Sequence, residues 1–258
     1  MASNDKHDLN GKVVIVTGAS TPRGIGYTAA KRFAAAGASV FLVAEGTAEQ
    51  LATAVAECRA LPHAARIESA LIDLGESGAA ERMIAQAVAL FGRVDVLINN
   101  AAIRISEDFG DYTRAQFDLG VNVNLAAPFF ASQAVLPVFR RQGGGRIIHI
   151  ASQLGHVTFT QKALYGLAKA ALIHLTKSMA YELGRENIIV NAISPGPIDT
   201  QRSAVRSAAL TQELLNKVPL GRFGEPEEIA DLVFYLATSS PAFLQGQDIV
   251  IDGGYIIH

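Results

Sequence analysis

Tyr165 and Lys169 stand four residues apart in Tyr165-Gly-Leu-Ala-Lys169, within a stretch whose apolar residues (Leu164, Leu167, Ala168, Ala171, Leu172, Leu175) recur at helical spacing. That spacing places both side chains on one face of a helix, one above the other. An ammonium held beside a phenol favours the phenolate and lowers a pKa that is ordinarily about 10 toward the range of a working acid/base catalyst. Ser152 follows the apolar run Arg146-Ile-Ile-His-Ile-Ala151, so its hydroxyl falls at a strand end, where it can polarise a carbonyl oxygen. A Tyr-x-x-x-Lys pair also arises in ordinary helices, and the surrounding motifs decide between the two readings.

Short β-branched runs alternate with longer helical patterns along the chain, the signature of βαβ units and a parallel sheet. Strands are predicted at Lys12–Thr17, Ser39–Val43, Arg66–Ile72, Val94–Ile98, Gly145–Ile150, Ile188–Ala192 and Asp248–Ile251. Helices are predicted at Gly26–Ala36, Ala48–Ala60, Gly78–Phe91, Arg114–Arg141, Ala163–Gly184, Leu210–Asn216 and Pro226–Ala237, with Pro128 and Pro137 interrupting the fourth. The expected fold is a single doubly wound α/β domain over residues 9–258, preceded by a loose tail over 1–8. In such a sheet ligands bind beyond the carboxyl ends of the strands. Gly18, Glu45, Asp73, Asn99-Asn100, Ser152 and Pro195-Gly196 all fall at those ends, and that edge is the expected site.

Composition narrows the function. Half of the 258 residues are hydrophobic and 18% are charged, enough for a buried core and against disorder. A net charge of −2 with both signs dispersed leaves no basic face for nucleic acid. Cys58 is the single cysteine, which excludes internal disulfides and cysteine-rich metal sites. The polar N-terminus lacks a signal-peptide core, and no apolar run approaches a membrane span, so a cytoplasmic protein is expected. The six histidines show no metal-ligand spacing, and no metal is expected; His156 is a candidate to line the pocket. No G-x-S-x-G elbow occurs, which disfavours a serine hydrolase.

The first strand runs into Thr17-Gly18-Ala-Ser20-Thr-Pro-Arg23-Gly24-Ile25-Gly26, a glycine-rich turn suited to the close approach of a diphosphate at a helix N-terminus. This turn, Asp73-Leu74, Asn100-Ala101-Ala102, Asn124, Ser152, Tyr165-x-x-x-Lys169 and Pro195-Gly196 occur in order, and the set resembles the short-chain dehydrogenase/reductase superfamily over nearly the whole chain. The resemblance implies a general acid/base at Tyr165 and a lysine at 169 that binds the nicotinamide ribose and depresses the tyrosine pKa. It further implies a substrate-orienting Ser152 and a proton-relay asparagine at Asn124, with Asn122 the other candidate by register. Asp73 and Leu74 correspond to adenine contacts, Asn100, Ala101 and Ala102 to contacts beside the adenosine and ribose, and Pro195, Gly196, Ile198 and Thr200 to a nicotinamide clamp. The implied activity is NAD(P)-dependent interconversion of a secondary alcohol and a ketone, with members such as 3-oxoacyl-carrier-protein reductases and hydroxybutyrate dehydrogenases similar to this chain. The implied assembly is a homotetramer, consistent with the apolar stretch Pro128–Leu136. The sequence departs from the family in two places. Five residues separate Gly18 from Gly24, where three are usual, and Ala102 stands where glycine is usual.

Two alternatives remain open: an enoyl reductase of the same superfamily, whose pattern resembles Tyr-x6-Lys, and a non-catalytic dinucleotide-binding regulator, which would be expected to lose the tyrosine or lysine. Arg104 and Lys162 are candidates to hold a substrate carboxylate, the other reading being solvated rim charges. Hydroxybutyrate dehydrogenases carry a lysine at the position of Lys162, but their histidine after the serine is Leu154 here. The substrate loop is expected at about 199–218. Cofactor choice is divided between Arg23, placed to meet a 2′-phosphate, and Glu45, nineteen residues after Gly26, placed to take a ribose 2′-hydroxyl. A carboxylate there would repel the phosphate, so NAD is expected, with NADP the alternative.

Overall fold

The structure is a computed structural model that describes residues 9–201 and 207–257. The expected tail over 1–8 and residues 202–206 of the expected substrate loop lie outside the described residues. Strands β1 (Val13–Thr17), β2 (Ser39–Ala44), β3 (Ile67–Leu71), β4 (Val96–Asn99), β5 (Gly145–Ile150), β6 (Ile188–Pro195) and β7 (Asp248–Ile251) form one sheet in the order β3-β2-β1-β4-β5-β6-β7. Every pairing is parallel. The helices are α1 (Ile25–Ala35), α2 (Ala48–Arg59), α3 (Ala79–Phe91), α4 (Arg114–Val121), α5 (Ala127–Gln142), α6 (Ala163–Leu183), α7 (Ala208–Asn216) and α8 (Pro226–Thr238).

Helices cover both faces, which is why the inner strands are apolar throughout and not alternating. Val14 and Val16 of β1 point into a core shared with Phe33 of α1 and Phe234 of α8, whose rings lie 5.2 Å apart. Ile15 points the other way, into a core with Phe41, Met83 of α3 and Phe139 of α5. Each such fully buried side chain contributes about 1.5–3 kcal/mol. The chain winds from β1 out to β3, then returns to lay β4 against the opposite edge of β1. That reversal opens a crevice above the carboxyl ends of β1 and β4.

Most element ends fall within two residues of expectation, and two places differ more. Strand β6 runs three residues beyond Ala192, because Ile193, Ser194 and Pro195 pair with Ile249, Val250 and Ile251 of β7. The helical stretch starting at Arg114 is interrupted by a π turn over Asn122–Ala126, and Pro128, in the first turn of α5, lacks the N–H that would bond back to that turn. Pro137, expected to interrupt, lies inside α5. Both it and Gln133, whose carbonyl loses its helical partner, are exposed, so solvent can serve that carbonyl. The folded segment Arg114–Gln142 is thereby 29 residues long and contains an 18-residue window with a mean hydropathy of 1.3, long and apolar enough to cross a membrane by length and composition, contrary to the expectation that no such stretch exists. Its apolar residues are partly absorbed by packing, as α5 buries Ala131, Val135 and Phe139 in the core shared with α3.

Candidate active site

The floor of the crevice is built by one hydroxyl and one amide. Thr17, at the end of β1, accepts hydrogen bonds at Oγ1 from the N–H groups of Asn100 and Ala101, both at 2.9 Å, and donates to the carbonyl of Ile98. The Asn100 side chain in turn donates to the carbonyls of Thr17 (2.8 Å) and Gly18 (3.2 Å). Gly18 has φ +67, and a Cβ there would lie 2.9 Å from Ala101 Cα; a Cβ on Gly26 would lie 2.4 Å from Asn100 Nδ2. Only glycines permit this approach. Helix α1 begins at an extended Gly24 that has no side-chain cap, so its first N–H groups are free to meet an anion.

The acid–base group sits beside that floor, in a cleft of about 810 Å³. The i,i+4 spacing on α6 brings Lys169 Nζ to 5.6 Å from the centre of the Tyr165 ring, and Lys169 donates to the carbonyl of Ile150 at 2.7 Å. Tyr165 is 4% exposed and Lys169 1%. Burial alone would raise the phenol's pKa. The charges of Lys169 and Arg104, with hydrogen bonds from Arg104 and Ser152, outweigh it and hold Tyr165 below the ordinary phenol range. Burial holds Lys169 below its ordinary value too, against the pull of Tyr165, and Arg104 adds to the lowering. Gly166 is needed on α6 because a Cβ there would lie 2.7 Å from the Leu154 carbonyl, in the turn that carries Ser152. The Ser152 Oγ also accepts from the Leu154 N–H at 3.1 Å.

Gly18, Gly24, Ile25, Asn100, Ala101, Ala102, Arg104, Ser152, Tyr165, Lys169, Pro195, Gly196, Ile198 and Thr200 share this cleft. Ser20, Glu45 and Leu74 line an adjoining hollow of about 970 Å³ over β2, continuous with the first through Gly18, Ala101 and Ala102. Several expected residues lie elsewhere. Arg23, at φ +55, turns away from the hollow and pairs with Asp199 (2.8 Å) and Glu225 (3.7 Å). Asp73 folds its carboxylate onto the Gly75 N–H at 2.7 Å, and Ile72 and Leu74 form the wall in its place. His156 Nε2 lies 2.6 Å from Asp248, a buried carboxylate that also accepts from Ser194, which holds the imidazole out of the cleft. Leu154 takes part through its backbone and not its side chain. Asn124 is buried in the π turn, its amide bonded to both the N–H and the carbonyl of Ile103 at 3.0 Å. Lys162 is half-buried and hydrogen-bonded to Ser106, and its amine is held below the ordinary value by burial and by the charge of Arg104. Residue reasoning missed Thr17, Thr21 and Ile150; a hydroxyl ending a buried strand was the available signal for Thr17.

A dinucleotide fits this arrangement on three counts. The glycine floor leaves space that a Cβ would fill, the α1 N-terminus faces the cleft, and the buried Gln153 Oε1 lacks a hydrogen-bond partner among the described residues, beside Gly196. Among the described residues no cluster of His, Cys, Asp or Glu is arranged as metal ligands.

Comparison with known proteins agrees with the geometry. A family profile described as Enoyl-(Acyl carrier protein) reductase matches residues 18–256. The chain is 34% identical to the 3-oxoacyl-(acyl-carrier-protein) reductase of Thermotoga maritima, over 96% of this chain and 99% of that one. It is 36% identical to a 3alpha-hydroxysteroid dehydrogenase of Mediterraneibacter gnavus, over 95% and 97%. A dehydrogenase/reductase from Sinorhizobium meliloti superposes with a TM-score of 0.90 at 35% identity, covering 98% of each chain. The chain belongs to the matched family, within the short-chain dehydrogenase/reductase superfamily. It is an NAD(P)-dependent oxidoreductase acting between CH–OH and C=O groups, and the Tyr-x-x-x-Lys spacing on α6 accords with that activity over enoyl reduction.

Proposed function

We propose that Tyr165 is the general acid/base of a secondary alcohol–ketone interconversion, with Ser152 orienting the carbonyl oxygen and Lys169 tuning the phenol. The observation that carries this is a buried tyrosine whose pKa is lowered, despite desolvation, by a buried lysine on the same helix face. When bound, the nicotinamide supplies or accepts the hydride at the carbonyl carbon. In the reducing direction the oxygen that gains charge accepts a hydrogen bond from Ser152 and the proton of Tyr165 Oη, leaving a phenolate that Lys169 stabilises. Lys169, Asn100, Pro195, Gly196, Ile198 and Thr200 would hold the nicotinamide half; Ser20, Glu45, Leu74, Ala101 and Ala102 would hold the adenosine half. Asn124 positions the backbone of Ile103 at the cleft wall.

NAD is the proposed cofactor, supported by Glu45 at the adenosine hollow and by Arg23 being paired with Asp199 outside it. A homotetramer is proposed from the exposed aromatic and aliphatic side chains of α4, α5 and α6, and a cytoplasmic location from a composition that needs no disulfide. The decisive test is Tyr165→Phe, assayed with NADH and NADPH against ketones, oxo acids and secondary alcohols. Turnover should fall on the order of 10²–10⁴-fold while cofactor affinity stays within about threefold, because the phenol acts in the transition state. Retention of more than a few per cent of the activity would remove Tyr165 from the role.

A further inference from the structure

Arg104 contacts the Tyr165 hydroxyl, yet the acid–base chemistry does not call for it: Lys169 already supplies the charge and Ser152 the hydrogen bond. Its guanidinium carbon lies 5.3 Å from the Tyr165 ring centre, and it lines the same cleft. Its backbone is fixed, since the preceding residue, Ile103, is bonded at both its N–H and its carbonyl by the buried amide of Asn124. Lys162 approaches from the start of α6, close enough for the two charges to repel, and is anchored by its bond to Ser106. Among the described residues neither cation forms an ion pair, whereas Arg23, Arg93, Arg140 and Arg222 each meet a carboxylate. Residues 202–206, Arg-Ser-Ala-Val-Arg, carry no acidic side chain. Lys169 and Arg104 thus flank one phenol, with Lys162 beside Arg104, and among the described residues no carboxylate pairs with any of the three.

We propose, on the reading of Tyr165 as the acid, that the cleft takes a short oxo acid whose carboxylate, one or two carbons from the carbonyl, pairs with the Arg104 guanidinium and is seconded by Lys162. The planar fork of arginine suits a carboxylate bidentately, and its place at the Tyr165 hydroxyl puts that carboxylate next to the reacting carbonyl. An anion there draws the guanidinium N–H groups from the phenol, leaving its hydroxyl for the carbonyl oxygen. The carboxylate forms and breaks no bond in the reaction. The carbonyl carbon gains the nicotinamide's hydride, its oxygen gains the tyrosine's proton, and a hydroxy acid leaves.

The test compares 2-oxo and 3-oxo acids with their methyl esters, using the full chain and both nicotinamide cofactors. The acid should exceed its ester in kcat/KM by about tenfold or more. Arg104→Gln should collapse that ratio on the order of 10- to 100-fold, chiefly through KM, with Arg104→Lys keeping part of it and Lys162→Gln a smaller loss. The ratio cancels any effect of the substitution on Tyr165 itself. A pH profile gives a second reading. The charged and titratable groups facing Tyr165 are Lys169 from α6, Arg104 from the β4–α4 loop and, beneath Lys169, His149 from β5. Burial and Lys169 hold His149 at about 3, so it is neutral throughout the assay range. Neutralising Arg104 with a bound carboxylate should therefore move the tyrosine's apparent pKa upward from the kcat/KM profile to the kcat profile, and an ester should not move it. Equal efficiency on acid and ester, or a ratio unchanged by Arg104→Gln, overturns the carboxylate assignment. Failure of every ketone, ester and acid alike overturns the acid–base reading beneath it.

Discussion

A phenol stripped of water holds its proton more tightly, so the lowered pKa of Tyr165 measures how much its neighbours contribute. Two of those neighbours, Ser152 and Lys169, were legible because one ends a strand and the other is a helix turn away. Arg104 was legible as a candidate, but its contact with the tyrosine depends on a loop whose path no periodicity encodes. Arg23 shows how loop conformation can mislead. Its place before Gly24 suggested a 2′-phosphate ligand, but a left-handed backbone in an enlarged turn sends it to Asp199 and Glu225. That leaves Glu45 as the charge at the adenosine hollow. Like charges in a shared hollow repel, so Glu45→Ser should raise kcat/KM with NADPH about tenfold and lower the NADH-to-NADPH preference. An unchanged preference in initial-rate kinetics would show that Glu45 does not read the ribose.

At the scale of elements, β1 and β4 are tied at both ends. Thr17 and Asn100 bind the carboxyl ends, and Asp95 binds the opposite ends by accepting from Arg93 Nη2 (2.6 Å), from the Val13 N–H (2.9 Å) and from Lys12 Nζ (3.1 Å). Burial alone would raise the Asp95 pKa. The bonds from Arg93, Val13 and Lys12 overcome that and hold it below the ordinary aspartate value of 3.8. A depressed folded pKa contributes stability that is present above the unfolded value and lost as pH falls through the folded one. Asp95→Asn should therefore cost about 1–3 kcal/mol at pH 7, and the gap to the parent should close below about pH 4. Urea midpoints measured at pH 7 and pH 3 check this, and equal midpoints at pH 7 would refute it. The β-branched runs revealed all seven strands, since a sheet covered on both faces needs apolar residues throughout. Their ends were less legible: the sixth strand was expected to stop at Ala192, yet Ile193, Ser194 and Pro195 pair with β7, whose partner residues lie more than fifty positions away. His156 was misplaced for the same reason, its aspartate being 92 residues distant.

For the whole molecule, the exposed Phe117 and Leu119 of α4, Phe129 and Phe130 of α5, and Leu167 and Tyr181 of α6 form the surface from which self-association is proposed. Light scattering at micromolar concentration should give the mass of four chains, and Phe129→Glu with Phe130→Glu should reduce it while leaving the far-ultraviolet circular dichroism unchanged. A monomer from the parent chain would overturn the assembly. The π turn over Asn122–Ala126 has a bearing on that surface as well as on the site. An α-helix turns about 100° per residue, and a π turn accommodates one residue beyond the α-helical repeat. The turn therefore acts as a phase adjuster between α4 and α5. Winding the same residues as regular α-helix, with none removed, would damage the protein. It would swing α4 and everything before it about 100° out of register with α5, so that one of them would have to turn its polar side inward. The same slip would pull Asn124 off Ile103 and set the α4 and α5 aromatics facing different directions. A single irregular turn thus synchronises the core, the cleft wall and the outer surface, and a further residue inserted there, which one wide turn cannot also absorb, should be tolerated less well than almost any substitution on the helices it joins.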